Sequence, residues 1–248
     1  MSIREKPLNG FCIRDWGSLL SSLSKLGYTF AGIDEIVADR KTAFLRHDVD
    51  LCLSRATKMA LMEAELGVCA TYYVLVSTSM YNVASAQSRE LMRKILLAGH
   101  EIGLHFDSSL YAGDIAALET KAACECSILE NLIDQPIKSL SFHRPAPSLI
   151  GLPGRFAGRR HTYEPEIFNQ IGYISDSSGG WYRGHPLDHP SVIAGAAIQL
   201  LTHPLWWTNE TAVSPSEILK QIKLERAAEI GKGLAAATAR APVSFPNR

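Results

Sequence analysis

Residues 42–50 of this chain read TAFLRHDVD, an apolar run that ends in two aspartates separated by one residue. The apolar half is typical of a buried β-strand. Because side chains alternate along a strand, Arg46, Asp48 and Asp50 are predicted to share one face, with His47 on the other. Burying these charges costs free energy unless they pair or bind a metal. Taken alone, the stretch fits an ion-paired strand end with a capping aspartate equally well.

Further along the chain, polar side chains again follow predicted strands. In parallel α/β folds the carboxyl ends of the strands form one face, and functional residues collect there. The sequence therefore predicts a functional site on that face. Besides Asp48 and Asp50, its members are His105 and Asp107, His143 and Arg144, Asp176, and His203.

Helical and strand patterns alternate over most of the chain, which predicts an α/β protein with a parallel sheet in a single domain. Residues 1–232 are expected to form this domain, with a helical extension over residues 1–40. Residues 233–248, rich in alanine, arginine and proline, are expected to be a peripheral or disordered tail. The last helix is predicted over residues 214–230.

Composition restricts the choice of partners. The 248 residues include 25 basic and 25 acidic ones, so the formal net charge is zero. This balance disfavours nucleic acid and favours an uncharged or zwitterionic small molecule or a sugar. No stretch is long and apolar enough for a signal peptide or a membrane span. Five cysteines without a Cys-x-x-Cys pair are typical of reduced thiols in a cytoplasmic protein. The oligomeric state is left open.

At these motifs the chain resembles the polysaccharide deacetylases, the NodB-homology carbohydrate esterases similar to carbohydrate esterase family 4. Five family motifs have counterparts in the family's order, from Ala43 to Trp207. The resemblance implies a single-domain distorted (β/α) barrel of seven strands. The forms RHDVD and THPLWW resemble a divergent branch associated with bacterial surface-polysaccharide loci.

The resemblance also implies one divalent metal ion, for which the donor set favours Zn²⁺. Asp50 and His105 match two of the family's ligands. The family's second histidine falls on Ser109, a poor ligand. We expect His143 to take its place, with Asp107 or a water molecule as the alternative. A hydrogen-bonded residue at the rim is the competing interpretation of His143.

Catalytic roles follow from the same resemblance. Asp48 matches the general base, and His203 matches the general acid that protonates the leaving amine. Asp176 corresponds to the residue that holds such a histidine charged and oriented. Either Arg46 or Arg144 could orient Asp48.

Aromatic residues follow two of the motifs. Trp181 and Trp206 are candidate substrate-binding residues, because aromatic rings suit the apolar face of a sugar. Simple loop packing is equally compatible with either of them.

The sequence therefore predicts a metal-dependent hydrolase that removes an N-acyl group, acetyl above all, from an amino sugar. The expected setting is O-antigen-like polysaccharide or lipopolysaccharide biosynthesis in the cytoplasm. Two alternatives stay open: hydrolysis of another carbon–nitrogen bond, such as a formamide or cyclic amide, and a non-catalytic glycan-binding barrel. Ser109 favours the non-catalytic barrel, whereas Asp48 and His203 argue against it.

Overall fold

The computed structural model describes residues 11–182 and 184–238. Its strands are β1 (Thr29–Phe30), β2 (Thr42–Val49), β3 (Thr71–Leu75), β4 (Glu101–Phe106), β5 (Ser139–Phe142), β6 (Arg160–His161), β7 (Gly172–Ser175) and β8 (Ile198–Thr202). Its helices are α1 (Ile13–Lys25), α2 (Leu53–Glu65), α3 (Ala86–Leu97), α4 (Ile115–Ile133), α5 (Pro165–Phe168), α6 (Pro190–Ala194), α7 (Pro204–Trp207) and α8 (Pro215–Thr238).

Seven of these strands pair in the order β6-β5-β4-β3-β2-β8-β7, and every pairing is parallel. The short strand β1 pairs with the first residues of β2, Thr42 and Ala43, whereas β3 pairs with β2 only from Arg46 onward. The α/β class and the seven-stranded parallel sheet expected from the sequence are confirmed.

The sheet curls so that one end of the strand path approaches its middle. Gln199 of β8 donates a hydrogen bond from Nε2 to the carbonyl oxygen of Thr162, just beyond β6, over 3.2 Å. The guanidinium of Arg46 on β2 lies 4.9 Å from the centre of the Tyr163 ring. These contacts join strands that are not neighbours in the sheet, as in a distorted (β/α) barrel.

Strand β2 is buried along its whole length, and its two faces differ as the alternation predicts. On the inner face, Arg46 contacts Asp48. On the outer face, Nε2 of His47 lies 3.0 Å from Oε1 of Glu63 on α2, and its ring contacts Trp16 on α1. The inner face thus carries its charged pair to the carboxyl end of the sheet.

Among the flanking helices, the last one is longer than the sequence predicts. Helix α1 buries an apolar stripe in the hydrophobic core (Trp16, Leu19, Leu20 and Leu23). Helix α8 continues to Thr238, eight residues past the predicted end at 230, since alanine and lysine favour helix there. Residues 1–10 and the rest of the predicted tail, 239–248, lie outside the described residues. In the described ranges no helix has the length and hydropathy needed to cross a membrane.

Candidate active site

The polar residues predicted at the strand ends meet at the carboxyl edge of the sheet. Asp50 follows β2, His105 lies near the end of β4, His143 follows β5, and His203 follows β8. Neighbouring parallel strands end at the same edge, which brings these side chains from distant parts of the chain into one cluster.

Three of these residues form a candidate metal centre. Oδ1 of Asp50 lies 3.1 Å from Nε2 of His105 and 3.3 Å from Nδ1 of His143. The two imidazole nitrogens are 3.1 Å apart, and the three donor atoms all lie within 4.8 Å of one another. Although Oδ1 of Asp50 is buried, no described group is oriented to donate a hydrogen bond to it. A buried carboxylate oxygen facing two imidazole nitrogens fits a divalent cation such as zinc.

The electrostatics of this centre favour an ionised Asp50 and a protonated His143, which must release its proton before it binds a cation. Burial opposes ionisation of Asp50, but the neighbouring His105 and His143 outweigh it and hold the pKa of Asp50 well below its usual range. Contact with the Asp50 carboxylate raises the pKa of His143, even though partial burial acts in the opposite direction. The site thus gathers positive charge around an ionised carboxylate.

The loop after β4 does not contribute a further ligand to this group. Oδ1 of Asp107 accepts hydrogen bonds from the backbone N–H of Ser109 over 3.0 Å and from its hydroxyl over 2.6 Å. Ser109 itself is exposed. Asp107 therefore caps a turn, and within the described residues His143 is the third donor that lies against Asp50 and His105.

Asp48, the candidate base, is buried beside the metal centre. Arg46 donates to it through two parallel contacts, Nε to Oδ1 over 3.0 Å and NH2 to Oδ2 over 2.8 Å. Oδ2 of Asp48 also lies 3.7 Å from Nε2 of His105. Burial raises the pKa of Asp48, but the Arg46 guanidinium and His105 more than offset it and lower the pKa below its ordinary value. Asp48 is therefore an ionised carboxylate at neutral pH.

Of the two arginines proposed to orient Asp48, Arg46 makes the contact. Arg144 is exposed, and its φ of 48° places it in the left-handed region that non-glycine residues rarely adopt. This backbone conformation lies between His143 and Pro145, where the chain leaves β5. Uncommon backbone geometry of this kind clusters at functional sites.

His203, the candidate acid, is held by Asp176. Its Nδ1 lies 2.6 Å from Oδ1 of Asp176, and its backbone N–H donates to the same carboxylate. Its Nε2 lies 3.9 Å from Oδ2 of Asp50. Burial lowers the pKa of His203, but the charge of Asp176 and the hydrogen bond to it outweigh burial and raise the pKa to about 9. His203 is therefore protonated at neutral pH.

Two residues contact the site residues in ways that the sequence does not predict. Trp207 donates from Nε1 to Oδ2 of Asp176 over 2.7 Å. Ser141, on β5, contacts both Asp48 and His105. Strand alternation could have identified Ser141, because it lies two residues before His143. The contact made by Trp207 depends on the short helix α7 and has no comparable signal in the sequence.

The predicted aromatic residues differ in exposure. Trp206 is only 8% exposed and belongs to the hydrophobic core, because α7 turns its ring inward. The substrate contact expected of Trp206 stays a prediction. Trp181 is half-buried, with its ring centre 5.6 Å from that of Trp207. Tyr182 beside it is 77% exposed.

The chain matches no family model and no curated protein. Among solved structures it is similar to a deacetylase from Streptococcus pyogenes in complex with acetate, with 13% identity, a TM-score of 0.46, and coverage of 90% of this chain and 93% of that one. It is also similar to a family 4 carbohydrate esterase from Bacillus anthracis, with 16% identity, a TM-score of 0.43, and coverage of 92% and 94%.

A third similar structure is a CE4 family pseudoenzyme from Bacillus anthracis, with 14% identity and a TM-score of 0.41. The alignment covers 76% of this chain, which spans 63% of the length of that pseudoenzyme. The solved structures to which this chain is similar thus include family 4 carbohydrate esterases, one of them a pseudoenzyme, and a deacetylase.

Proposed function

We propose that this chain is a metal-dependent hydrolase that removes an N-acyl group, acetyl above all, from an amino sugar. One observation carries the proposal: a carboxylate and an imidazolium flank the same three-residue donor group. Asp48 contacts its His105 side, and His203 contacts its Asp50 side. Hydrolysis of an amide needs a base for the water and an acid for the leaving nitrogen, which are the two groups in this arrangement.

The residues Asp50, His105 and His143 would hold the cation, for which their N/O donor set favours Zn²⁺. When bound there, a divalent ion polarises a carbonyl oxygen and lowers the pKa of water. Asp48 then accepts the proton of the attacking water. Its ionised form is maintained by Arg46, so it is ready to act at neutral pH.

His203 donates the second proton. The amine can leave only after its nitrogen is protonated, and a group with a pKa near 9 carries that proton at neutral pH. Asp176 and Trp207 hold the ring so that Nε2 points toward Asp50. Because His203 can protonate a leaving nitrogen, hydrolysis of a carbon–nitrogen bond is the favoured reaction.

A sugar is the favoured substrate on chemical grounds. The chain has no net charge to attract a polyanion. Trp181, half-buried next to the residues that support His203, could contact the apolar face of a sugar ring. Arg144, exposed next to His143, could contact a polar group of the substrate. We place the chain as a divergent polysaccharide deacetylase acting in surface-polysaccharide biosynthesis in the cytoplasm, with residues 1–232 as its catalytic domain.

The test is acetate release by the purified chain, stripped of metal and then reloaded with Zn²⁺. The panel should contain free, nucleotide-linked and polymeric acetamido sugars, together with formamido sugars and cyclic amides. Acetate release that disappears in Asp48→Asn supports the proposal. Cleavage confined to formamides or cyclic amides would show that the substrate is one of these and not an acetamido sugar. Sugar binding without cleavage would favour the non-catalytic barrel.

A further inference from the structure

Ser141 is a fully buried residue of β5 that links the two halves of the candidate site. Its Oγ lies 3.1 Å from Oδ1 of Asp48 and 3.2 Å from Nδ1 of His105. Ser141 and His105 are also paired residues of the adjacent strands β5 and β4. The sheet therefore fixes the hydroxyl between the candidate base and a candidate metal ligand.

Counting hydrogens determines the direction of both contacts. A serine hydroxyl has one hydrogen and two lone pairs, whereas an ionised carboxylate can only accept. The contact with Asp48 therefore uses the hydroxyl hydrogen. The contact with His105 must then run from Nδ1–H of the ring to a lone pair of Ser141. The opposite assignment would leave two oxygen lone pairs facing each other 3.1 Å apart.

This direction selects one tautomer of His105. With its proton on Nδ1, a neutral imidazole has its lone pair on Nε2. Nε2 is the atom that lies 3.1 Å from Oδ1 of Asp50 and 3.1 Å from Nδ1 of His143. Ser141 thus prepares Nε2 of His105 to bind a cation.

The same hydroxyl also distinguishes the two oxygens of Asp48. Within the described residues, Oδ1 accepts from both Arg46 and Ser141, whereas Oδ2 accepts from Arg46 alone. Oδ2 is also the oxygen that approaches Nε2 of His105, at 3.7 Å. The oxygen nearer the metal centre is therefore the one with free accepting capacity.

We infer that Ser141 is a positioning residue that fixes the Nδ1-protonated tautomer of His105 and leaves Oδ2 of Asp48 as the base. Metal-bound histidines generally donate their second N–H to a carboxylate, a backbone carbonyl or water. Here a serine hydroxyl accepts that N–H and itself donates a hydrogen bond to the candidate base. The role of Oδ2 rests on the proposed function, whereas the role toward His105 depends only on metal binding.

The chain offers a matched control for this inference. Ser139 lies on the same face of the same strand and is also buried, but its hydroxyl contacts Tyr73 over 2.8 Å. We expect Ser141→Ala to weaken Zn²⁺ binding about 10- to 100-fold, the usual effect of removing a partner of a ligating histidine. Ser139→Ala should bind Zn²⁺ like the wild type. Ser141→Thr keeps the hydroxyl and should retain Zn²⁺ affinity. Ser141→Val introduces a side chain of nearly the same shape as threonine but without the hydroxyl, and should lose Zn²⁺ affinity.

The hydrogen bond is measured directly by ¹⁵N NMR of histidine-labelled, Zn²⁺-loaded protein, because in the metal-free chain the Asp50 carboxylate, 3.1 Å from Nε2, also competes for a proton of His105. We expect His105 to carry its proton on Nδ1 in the wild type and to exchange that proton with solvent faster in Ser141→Ala. Unchanged Zn²⁺ affinity in Ser141→Ala, or a wild-type His105 that binds Zn²⁺ through Nδ1, would overturn the inference. If the wild type binds Zn²⁺ but cleaves no amide, the proposed function is wrong. Zn²⁺ affinity and the NMR of His105 would still decide the role of Ser141.

Discussion

Nδ1 of His203 lies 2.6 Å from Oδ1 of Asp176, and this contact leaves Nε2 of His203 facing the carboxylate of Asp50. Because Asp176 is fully buried, its charge acts on His203 with little screening by solvent. The pair therefore determines both the direction and the protonation state of the candidate acid.

Replacing Asp176 with asparagine should move the alkaline limit of activity to lower pH. His203 is protonated below a pKa of about 9, so activity that needs its proton is lost as the pH rises through that value. Removing the negative charge of Asp176 lowers the pKa of His203, so activity then begins to fall at a pH closer to neutrality. The measurement is kcat/KM against pH. Trp207→Phe, which keeps the charge and removes one donor, should shift the limit less, and an unmoved limit in Asp176→Asn would refute this role.

Replacing Asp48 with asparagine should lower turnover by roughly 10²- to 10⁴-fold, the usual contribution of a general base. Metal content should stay close to that of the wild type, because Asp48 is outside the donor group. The loss is measured as acetate released per bound ion. Turnover within a few-fold of the wild type would mean that Asp48 only pairs with Arg46.

Asp48→Asn should also lower the stability of the fold, and this effect can be separated from its effect on catalysis. Arg46 is buried, and without its carboxylate partner the free energy of unfolding should fall by about 3–5 kcal/mol. Chemical denaturation measures this loss. The double variant Arg46→Gln with Asp48→Asn removes the unpaired charge, so it should recover stability without recovering turnover. Recovery of both would contradict the base assignment.

His143→Ala should reduce Zn²⁺ affinity by more than about 100-fold, beyond the effect expected for an outer partner of a ligand. Asp107→Ala is the matched comparison, since Asp107 caps the neighbouring turn and should leave affinity unchanged. Competition with a chelator measures both. If Asp107→Ala lowers Zn²⁺ affinity more than His143→Ala does, Asp107 is the ligand instead.

Glu63 should contribute stability that depends on pH. It is fully buried on α2, where Trp16, His47 and Tyr72 contact its two oxygens. Burial raises the pKa of Glu63, but His47 above all, followed by Tyr72 and His100, lowers it by more, so the net pKa lies below its usual value. Its contribution is therefore complete above the ordinary pKa of a glutamate and is lost as the pH falls through the lowered value.

Glu63→Gln should be less stable than the wild type near neutral pH, and the difference should shrink as the medium becomes acidic. Denaturation curves across a pH series test this. Equal differences at every pH would show that the charge of Glu63 is unimportant.

Those features that depend on local periodicity could be predicted from the sequence. The alternation along residues 42–50 assigns Arg46 and Asp48 to the inner face of β2 and His47 to the outer one, as the structure has them. The strand ends are also visible as apolar runs that stop at polar residues. Both signals require only neighbours in the chain.

Those features that depend on contacts between distant segments could not be predicted. The choice of Arg46 over Arg144 as the partner of Asp48 depends on a left-handed turn after His143. Likewise, the sequence favoured His143 but left Asp107 open as the third donor, and the contact of His143 with Asp50 across distant strands decides between them. Trp206 is buried because α7 folds back onto the core, which composition does not reveal.

Titrating the metal-free chain with Zn²⁺ while recording acetate release from an acetamido sugar tests the central claim most directly. We predict that release rises linearly with added Zn²⁺ and stops rising at one ion per chain, because one Asp50–His105–His143 group holds one ion. His203→Ala should bind the same single ion and release acetate about 10²- to 10⁴-fold more slowly. Release that is independent of Zn²⁺, or one bound ion with no release from any acetamido sugar, would contradict the account.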